Sequence, residues 1–409
     1  MKKGDRTLIK QMNQQLVLRL IQRNGPIARR DIANISGLSP AAVSGITNEF
    51  VEQGLVRSAG EIERKGRAGR RAILLELNPT AGYVVGVSLA MHRFTCALTD
   101  LEANILYSAD HPLPQSGTAY EPLQVIAGVI AAVEELLATV SIDAELVLGL
   151  GIGINGIVQY ATGVSKFAPH YEWYDVPVAA PIEAHFGIPV FLENDVRALT
   201  LAEQLYGAGR EVDNFVTVAV GYGIGAGVVI DGNIYRGNLG GAGEIGHIIM
   251  QPGGPICSCG RHGCLEALTA VPAIVRMLED ALAAGEASVL QGKTPLSLAA
   301  VADAVKAEDA LALRVVTGAG RLLGRGLSTL VNMLNPQLFI ISGEAVNLGQ
   351  AFLAPMETAM RENAFIGFQD SFRIVYEAGE ENMWARGVAC VVLNALFTVQ
   401  DQSLQLFAG

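Results

Sequence analysis

Between residues 243 and 266 the chain reads Gly-Glu-Ile-Gly-His247-Ile-Ile-Met-Gln-Pro-Gly-Gly-Pro-Ile-Cys257-Ser-Cys259-Gly-Arg-His-Gly-Cys264-Leu-Glu266. Three of the five cysteines of the chain lie here within eight residues, and the first of them follows the histidine by ten positions. Three thiolates and one imidazole suit a closed tetrahedral zinc site, which leaves no open position for catalysis. The spacing therefore predicts a structural Zn²⁺ bound by His247, Cys257, Cys259 and Cys264. The alternative is a loop with free thiols.

The length and composition indicate more than one domain. The chain has 409 residues, half of them hydrophobic, which is more than one core normally holds. No apolar run approaches the roughly 18 uncharged residues that a membrane span needs, and no apolar block follows the charged start Met1–Arg6. Cys96 and Cys390 are isolated in apolar segments, where buried free thiols are expected. We expect a cytoplasmic protein without membrane insertion and without a disulfide framework.

Charge is divided unevenly along the chain. Residues 1–78 contain 14 Lys and Arg against 7 Asp and Glu, whereas the rest contains 15 against 33. A basic segment on an acidic body fits binding to nucleic acid through the small segment alone, because phosphate contacts need local positive charge. The alternative is a solvated basic face without a partner.

The basic segment has the pattern of a winged helix-turn-helix. Gly25-Pro26 and Gly37 separate three apolar-periodic segments, and Ser39-Pro40 supplies a cap and a first-turn proline for the third. Two strands that flank a basic, glycine-containing tip follow. The predicted elements are the helices Ile9–Leu20, Arg29–Ile35 and Ser39–Gln53, a strand from Leu55, the tip Arg64–Arg71 and the strand Ala72–Leu77.

A winged helix-turn-helix places its third helix in the major groove, while its wing follows the backbone or enters the minor groove. The third helix contains no Arg or Lys and has Gly45 in its middle, so phosphate contacts must supply much of the affinity. A small protein-binding helical module is the alternative. The expected DNA contacts are Ser39, Ala41, Ala42, Ser44, Thr47 and Asn48 in the groove, and Arg29, Arg30, Arg64, Lys65, Arg67, Arg70 and Arg71 on the backbone.

After Asn78-Pro79 the pattern alternates between strands and helices, which predicts two α/β lobes around a cleft. The first lobe is expected to contain the strands Tyr83–Leu89, Thr95–Thr99, Ile105–His111 and Val147–Ile154 and the helix Pro122–Val140. The second is expected to contain the strands Phe215–Val220, Gly225–Ile230, Asn233–Arg236 and Leu338–Ser342, with helices over Val271–Leu334. The expected domains are residues 1–78, 79–198 and 199–382, with a C-terminal helix at 383–398 returning to the first lobe.

The chain resembles the ROK family, whose name stands for repressors, open reading frames and sugar kinases. The resemblance covers essentially the whole chain and implies an actin-like (hexokinase-like) two-lobed fold. An N-terminal winged helix marks the repressor branch of this family, which includes xylose-, glucose- and N-acetylglucosamine-responsive regulators. The motifs that carry the resemblance are Glu193-Asn194-Asp195, Gly221-Tyr-Gly-Ile-Gly-Ala-Gly227, Glu244-Ile-Gly-His247 and Cys257-x-Cys259-x4-Cys264-Leu-Glu266.

The resemblance also implies a sugar site. It places Asn194, Asp195, Glu244, His247 and Glu266 around the sugar, with Asp195 at the position of the base that deprotonates the attacking hydroxyl in the family's kinases. Carboxylates and an amide suit this task, because a pyranose presents a ring of hydroxyls. Taken singly, Asn194 or Asp195 is also explained as the cap of a helix.

Two further expectations concern the same site. Gly156, with Gly153 and Asn155, follows a strand and is expected to let the backbone approach the ligand. His247 is expected to bind zinc through one ring nitrogen and the sugar through the other, so that the metal orients the ring.

The phosphate-binding motifs of the family's kinases are missing from this sequence. Those kinases carry Asp-x-Gly-Gly-Thr on the first strand, where this chain reads Ser88-Leu89-Ala90-Met91. These side chains block backbone approach to a phosphate, and no carboxylate organises magnesium. Tyr222 replaces a threonine in the second phosphate loop, and Glu344 adds a negative charge after the late strand. We therefore expect no enzyme activity and no catalytic residue, with Asp195 acting as a hydrogen-bond acceptor.

These features predict a sugar-responsive transcriptional regulator that represses carbohydrate-utilisation genes. Its expected partners are operator DNA, a sugar or sugar derivative, and further copies of the chain in a homodimer or higher homo-oligomer, because paired half-sites need paired DNA-binding domains. Two alternatives are an active sugar kinase with a fused DNA-binding domain and a regulator controlled by a protein partner from a sugar-uptake system.

Overall fold

The computed structural model describes residues 6–62, 72–115, 120–378 and 382–397. Within these ranges the chain forms a small N-terminal domain and two α/β lobes, each built on a five-stranded sheet. The tip of the wing lies outside the described residues, and with it the expected DNA contacts Arg64, Lys65, Arg67, Arg70 and Arg71.

The N-terminal domain combines three helices with a three-stranded antiparallel sheet of order β1-β3-β2. Val17 and Leu18 of the first helix belong to one buried cluster with Val43 and Phe50 of the third. Ser39 caps the third helix, since its Oγ accepts a hydrogen bond from the Ala42 N–H at 3.2 Å. The predicted winged helix-turn-helix is therefore confirmed. Its elements are α1 (Arg6–Asn24), β1 (Ile27–Ala28), α2 (Arg29–Ser36), α3 (Pro40–Glu52), β2 (Val56–Ile62) and β3 (Ala72–Leu77).

The first lobe is built on a mixed sheet of order β11-β7-β4-β5-β6, in which β11, β7 and β4 are parallel. The sequence did not predict three short strands and one short helix, because elements of three to eight residues carry little periodic signal. The elements are β4 (Tyr83–Leu89), β5 (Arg93–Asp100), β6 (Ile105–Pro112), α4 (Pro122–Val140), β7 (Val147–Ile154), β8 (Ile157–Gln159), β9 (Val164–Ala168), β10 (Trp173–Pro177), α5 (Ala179–Phe186), β11 (Val190–Asn194) and α6 (Asp195–Tyr206).

Helix α4 is the one described helix whose length and composition would allow a membrane crossing. It carries two glutamates, Glu134 and Glu135, and it contacts β5, β6 and α5. Its buried side chains, among them Val125, Val129 and Val133, belong to the core of the first lobe. Helix α4 therefore covers one face of the sheet of the first lobe.

The second lobe is built on a sheet of order β14-β13-β12-β15-β16, with β12, β15 and β16 parallel. The predicted meander over its first three strands is present, and the long helix α10 packs against α11. The elements are β12 (Phe215–Val220), β13 (Ile224–Ile230), β14 (Asn233–Tyr235), α7 (Leu265–Thr269), α8 (Val271–Ala283), α9 (Leu298–Lys306), α10 (Ala310–Leu334), β15 (Leu338–Ser342), α11 (Gln350–Glu362), β16 (Arg373–Tyr376) and α12 (Met383–Phe397).

The last helix, α12, returns to the first lobe and packs against β4, β7 and α6. Its backbone approaches the sheet closely: a Cβ on Gly86 would lie 2.1 Å from the Ala385 carbonyl oxygen, and one on Gly151 would lie 2.4 Å from that of Val388. Glycine is needed at these two sheet positions because any side chain would force the helix away. The first turn of α12 is thereby held against the middle of β4.

Helix α6 contacts both lobes and the N-terminal domain. It packs against α12 on one side and against β12 and β13 on the other, and the expected boundary between residues 198 and 199 falls inside it. At its C-terminal end, the Gln22 side chain of α1 donates to the Leu205 carbonyl at 3.5 Å. Arg210, just beyond α6, donates to the carbonyl groups of Gln22 and Arg23 at the end of α1.

A buried ion cluster holds α6 to its surroundings. Glu193, at the end of β11, is 0% exposed; its Oε1 lies 2.8 Å from Arg197 Nε and its Oε2 lies 2.8 Å from Arg236 Nε. Oε1 also accepts the Asn194 N–H at 2.8 Å. The Arg236 guanidinium stacks 4.1 Å from the centre of the Tyr160 ring. Because Arg236 follows β14, one carboxylate joins the first lobe, α6 and the second lobe.

The ion cluster predicts a large effect of Glu193→Gln on stability. The variant keeps the size of the side chain but leaves Arg197, whose side chain is 1% exposed, without its anion. Removing one partner of a buried pair costs about 3–5 kcal/mol. We expect a clear fall in melting temperature, measured by thermal denaturation.

The matched control is Glu286→Gln, which breaks an ion pair with Arg314 whose side chains are 49% and 58% exposed. Exposed pairs contribute about 0–1 kcal/mol, so this variant should melt close to the parent protein. Equal melting temperatures for the two variants would contradict the role assigned to Glu193.

Candidate functional site

A cleft of about 470 Å³ lies between the two lobes. The end of β4, the turn after β7, the start of α6, the β12–β13 corner and the loop before α7 all contribute to its wall. The tertiary structure brings together all six residues for which the sequence predicts sugar contacts. These residues are Gly156, Asn194, Asp195, Glu244, His247 and Glu266.

Asn194 and Asp195 lie at the N-terminus of α6. Asn194 caps the helix: its Oδ1 accepts the Arg197 N–H at 3.2 Å, and its Nδ2 donates to the Gly156 carbonyl at 3.2 Å. Asp195 Oδ1 accepts the Val196 N–H at 2.8 Å. Burial raises the pKa of the Asp195 carboxyl, and the Val196 N–H and the Arg197 guanidinium only partly offset this effect. Asn194 is therefore engaged within the protein, whereas Asp195 presents a carboxylate to the cleft.

A turn of 3-10 helix spans Ile245–His247. Glu244 directly precedes this turn, and His247 is its last residue. The two ring nitrogens of His247 have different neighbours: Nε2 is 3.8 Å from Glu244 Oε2, and Nδ1 is 3.5 Å from Cys257 Sγ. Burial raises the pKa of Glu244, and the nearby Asp195 carboxylate raises it further, while His247 lowers it. One nitrogen of the imidazole thus faces Cys257 and the other faces Glu244.

Glu266, in the first turn of α7, connects two walls of the cleft. Its Oε1 accepts a hydrogen bond from Ser258 Oγ at 2.7 Å, within the cysteine loop. Its Oε2 accepts the Ile224 N–H at 3.2 Å, at the glycine corner between β12 and β13. The orientation of this carboxylate therefore depends on the cysteine loop.

The cysteine loop brings four metal-ligating side chains together. One ligand atom each from His247, Cys257, Cys259 and Cys264 lies within 4.8 Å of all the others. The Cys259 and Cys264 sulfurs are 3.7 Å apart, and Cys257 Sγ is 3.5 Å from His247 Nδ1. Tetrahedral zinc with bonds of about 2.1–2.3 Å separates its ligand atoms by roughly 3.5–3.8 Å, so the cluster fits a metal ion of this kind.

Local hydrogen bonds shape this cluster. The Cys257 N–H donates to the Arg261 carbonyl at 2.8 Å, and the Gly260 N–H donates to the Cys257 carbonyl at 2.9 Å. Burial opposes ionisation of Cys259, but hydrogen bonds from the backbone and side chain of Arg261 outweigh it and lower the pKa of this thiol to about 6. The thiolate is the form that binds a metal.

We call the part of the cleft around Asp195, Glu244, His247 and Glu266 the acceptor half. The donor half is the part around Ser88–Met91, Tyr222 and Glu344. A Cβ on Gly221 would lie 1.9 Å from Glu344 Oε2, so this carboxylate packs directly over the glycine corner. Leu89, Ala90 and Met91 also line the cleft. The donor half is therefore lined by the Glu344 carboxylate and by the side chains of Leu89, Ala90 and Met91.

Several residues of the cleft wall were not predicted from the sequence. Arg276 of α8 and Trp384 of α12 line it, as does His170, which the sequence left without a role. No local motif marks these residues, since they reach the cleft only through the packing of α8, α12 and the β9–β10 turn. Asn155 lies in the wall as well, and its enclosed Oδ1 has no hydrogen-bond partner within the described residues.

The DNA-facing expectations are partly corrected. Ser39, Ala41 and Asn48 are exposed on α3, Ala42 and Ser44 are half-buried, and Arg30 is exposed beside Asp31. Thr47 is 0% exposed, and its hydroxyl donates to the Val43 carbonyl at 2.8 Å, so the prediction that it contacts bases is wrong. Position 47 lies on the same helical face as Val43 and Phe50, which pack into the core.

The Arg29 side chain forms hydrogen bonds within the domain, whereas the sequence predicts that it contacts a DNA phosphate. Its Nε donates to Thr47 Oγ1 at 2.8 Å, and its Nη2 donates to Asn48 Oδ1 at 3.1 Å. The guanidinium therefore connects the start of α2 to the middle of α3 and orients the Asn48 amide.

Comparisons with known proteins agree with this architecture. Residues 13–57 match a winged helix-turn-helix DNA-binding family, and residues 84–394 match the ROK family. The chain is 32% identical over 378 residues to the DNA-binding transcriptional dual regulator NagC of Escherichia coli K12, covering 91% of this chain and 90% of NagC. It is 28% identical to the xylose repressor of Caldicellulosiruptor bescii, covering 97% of this chain and 99% of that protein.

Solved structures give the same result. A ROK family transcriptional regulator described as a homolog of the E. coli MLC protein superimposes with a TM-score of 0.86 at 29% identity, covering 98% of this chain and 100% of that one. A ROK family glucokinase from Streptomyces griseus, in complex with glucose and AMPPNP, has a TM-score of 0.67 at 26% identity and covers 76% of this chain and 99% of its own. The predicted kinase-like, two-lobed fold is thus confirmed, and the chain belongs to the ROK family.

Proposed function

We propose that this protein is a sugar-responsive repressor of carbohydrate-utilisation genes, acting in the cytoplasm, whose cleft binds a sugar without phosphorylating it. The observation that carries the proposal is the single helix α6. Its first residue, Asp195, lies in the cleft, and the segment just beyond its end bonds to α1 of the DNA-binding domain. Its relatives include proteins named xylose repressor and NagC, a DNA-binding transcriptional regulator.

The acceptor half supports a sugar as the effector. Asp195, Glu244 and Glu266 present carboxylate acceptors, and His247 presents an imidazole nitrogen to the same space. A pyranose is held best by several such groups in a partly dry cleft, because each hydroxyl both donates and accepts. In this proposal Asn194 and Gly156 shape the turn that sets Asp195, while Asn155 Oδ1 receives a hydroxyl donor from the ligand or an ordered water.

The donor half supports binding without phosphoryl transfer. A kinase needs backbone amides and a magnesium-binding carboxylate around the triphosphate. Here Leu89, Ala90 and Met91 occupy the corresponding turn, and Glu344 lies against Gly221. A carboxylate at this point repels a phosphate. The competing function, an active sugar kinase, is separated from ours by its binding of Mg-ATP.

In this proposal, one rigid helix transmits the effect of sugar binding to the DNA-binding domain. Helix α6 has 12 residues and is about 18 Å long, so a shift at Asp195 reaches α1 through one rigid element. Two copies of the chain in a homodimer present two winged helices to operator half-sites, whose spacing must match a multiple of about 34 Å. A small rotation of the lobes would change this spacing and weaken binding.

The four-ligand cluster takes a structural Zn²⁺ in this proposal. His247, Cys257, Cys259 and Cys264 would hold the ion, leaving no open position for a substrate. The metal would fix the loop that carries Ser258, which positions Glu266, and would orient the ring of His247 toward the cleft.

The sugar site predicts ligand-dependent stabilisation. Xylose, glucose and N-acetylglucosamine should be tested by thermal shift, with and without Mg-ATP, because a ligand that binds only the folded state raises the melting temperature. We expect a shift with a sugar and none with Mg-ATP, and Asp195→Asn should reduce the sugar shift. Glu145→Gln, on the exposed surface, is the control. A shift with Mg-ATP would support the kinase instead, and the absence of a shift with every sugar would support control by a protein partner.

The contact between the end of α6 and α1 predicts a variant that still binds the sugar but no longer changes its operator affinity in response. Arg210→Ala removes the hydrogen bonds to the end of α1 without touching the cleft. Allosteric coupling typically changes the affinity for the second ligand by about 5–150-fold. In Arg210→Ala we expect most of the effect of sugar on operator affinity to be lost, while the affinity for the sugar itself stays the same. Operator binding with and without sugar, measured by fluorescence anisotropy, checks it, with Arg314→Ala as the surface control. An unchanged sugar response in Arg210→Ala would refute this route.

The metal cluster predicts that Cys259→Ser loses zinc and binds sugar more weakly. The substitution would act on sugar binding indirectly. Cys259 belongs to the metal cluster, whereas Glu266, which accepts a hydrogen bond from Ser258 of the same loop, lines the cleft. Metal content and sugar affinity should fall together by about tenfold or more, the usual scale for the groups that orient a metal site. Cys96→Ala, a buried cysteine outside the cluster, is the control. A zinc-free variant that keeps full sugar affinity would contradict the structural role.

A further inference from the structure

We propose that the donor half of the cleft is a second sugar subsite, so that the effector is an uncharged disaccharide. The inference rests on the proposed function, since it names the ligand class of the same cleft. The second ring would occupy the space in which the family's kinases hold the phosphates of ATP.

The size of the cleft supports a ligand larger than one ring. Its volume of about 470 Å³ includes both halves. Ligand pockets span roughly 300–1,000 Å³ and bury most of a drug-sized ligand, which is larger than a single hexose. A monosaccharide in the acceptor half would leave the donor half filled with water. A second ring linked to the first would displace that water.

The charge of the cleft wall selects against anions. Four carboxylates line the cleft, and Arg276 is the one arginine or lysine among its described lining residues. One of its N–H groups, on Nη2, donates to the Ala267 carbonyl at 2.8 Å, and its single positive charge is outnumbered by the four carboxylates. The field in a partly enclosed cleft of this composition repels a sugar phosphate or a nucleotide. The four carboxylates are Asp195, Glu244, Glu266 and Glu344.

Two aromatic side chains border the donor half, one from each lobe. Tyr222 lies at the glycine corner of the second lobe and is 64% exposed. Trp384 lies in the first turn of α12, and the next residue, Ala385, packs against Gly86 in the middle of β4. Aromatic rings bury the apolar face of a sugar ring while leaving its hydroxyls free for polar partners. Glu344, against Gly221, provides an acceptor for those hydroxyls.

These features agree on a neutral, ring-shaped ligand in the donor half. The aromatic rings favour a flat apolar face, the carboxylates favour hydroxyl donors, and the charge excludes phosphate. Closing the two lobes on a disaccharide would place Tyr222 and Trp384 on the same ligand. The donor half would then contribute to lobe closure.

The test compares matched ligands by isothermal titration calorimetry on the full chain. The pairs are glucose and cellobiose, xylose and xylobiose, and N-acetylglucosamine and N,N′-diacetylchitobiose, with glucose 6-phosphate and N-acetylglucosamine 6-phosphate as anionic probes. We expect at least one disaccharide to bind about tenfold or more tightly than its monosaccharide, and the phosphates to bind more weakly than the neutral sugars.

Tyr222→Ala is the diagnostic variant, because the side chain is exposed and its removal leaves the core intact. It should weaken disaccharide binding by about tenfold and leave monosaccharide binding unchanged. Tyr174→Ala is the matched control: Tyr174 is 69% exposed and lies outside the cleft wall.

Equal affinities for both members of every pair, equal effects of Tyr222→Ala on both, or tighter binding of a sugar phosphate would overturn the second subsite. Each of these outcomes leaves the sugar-binding function standing. The absence of binding by every sugar would instead overturn the proposed function itself.

Discussion

The buried carboxylate of Glu193 is the interaction on which the rest of the structure depends. A charge with no exposed surface is tolerated only when it is paired and hydrogen-bonded, and Glu193 meets this condition through Arg197 and Arg236. The two arginines come from different lobes, so satisfying one charge sets the position of three elements. Asp195 lies two residues after Glu193, so its orientation depends on this arrangement. The loop after Arg236 leads to Glu244.

The cleft is positioned from two sides by different physical means. The Glu193 cluster sets the wall formed by α6, and the cluster of His247 and three cysteines shapes the opposite wall, to which Glu266 is tied through Ser258. Such support matters because a binding site needs its polar groups held to within a fraction of an ångström. Helix α6 then extends from the cleft to α1, so one helix contacts both the cleft and the DNA-binding domain.

Much of the architecture and most of the candidate cleft were accessible from the sequence. The winged helix-turn-helix follows from the glycine and proline positions between apolar-periodic helices, and the grouping of the acceptor residues is implied by the resemblance to the ROK family. Thr47 shows where local reasoning fails: its polar side chain indicates an exposed position, but helix packing places it beside Val43 in the core. The short strands β8, β9 and β10 escaped prediction because they are too brief for alternation to be read.

The sequence by itself determined which metal-ligating residue types the cysteine cluster contains and the order of the domains. These properties are written in residue types at fixed local spacings. Only the tertiary structure decided that Glu193 joins two arginines 4 and 43 positions away, that Trp384 of the last helix borders the same cleft as Tyr222, and that α6 connects that cleft to α1. Such contacts arise from the packing of distant elements, and no local spacing encodes which distant residues will meet.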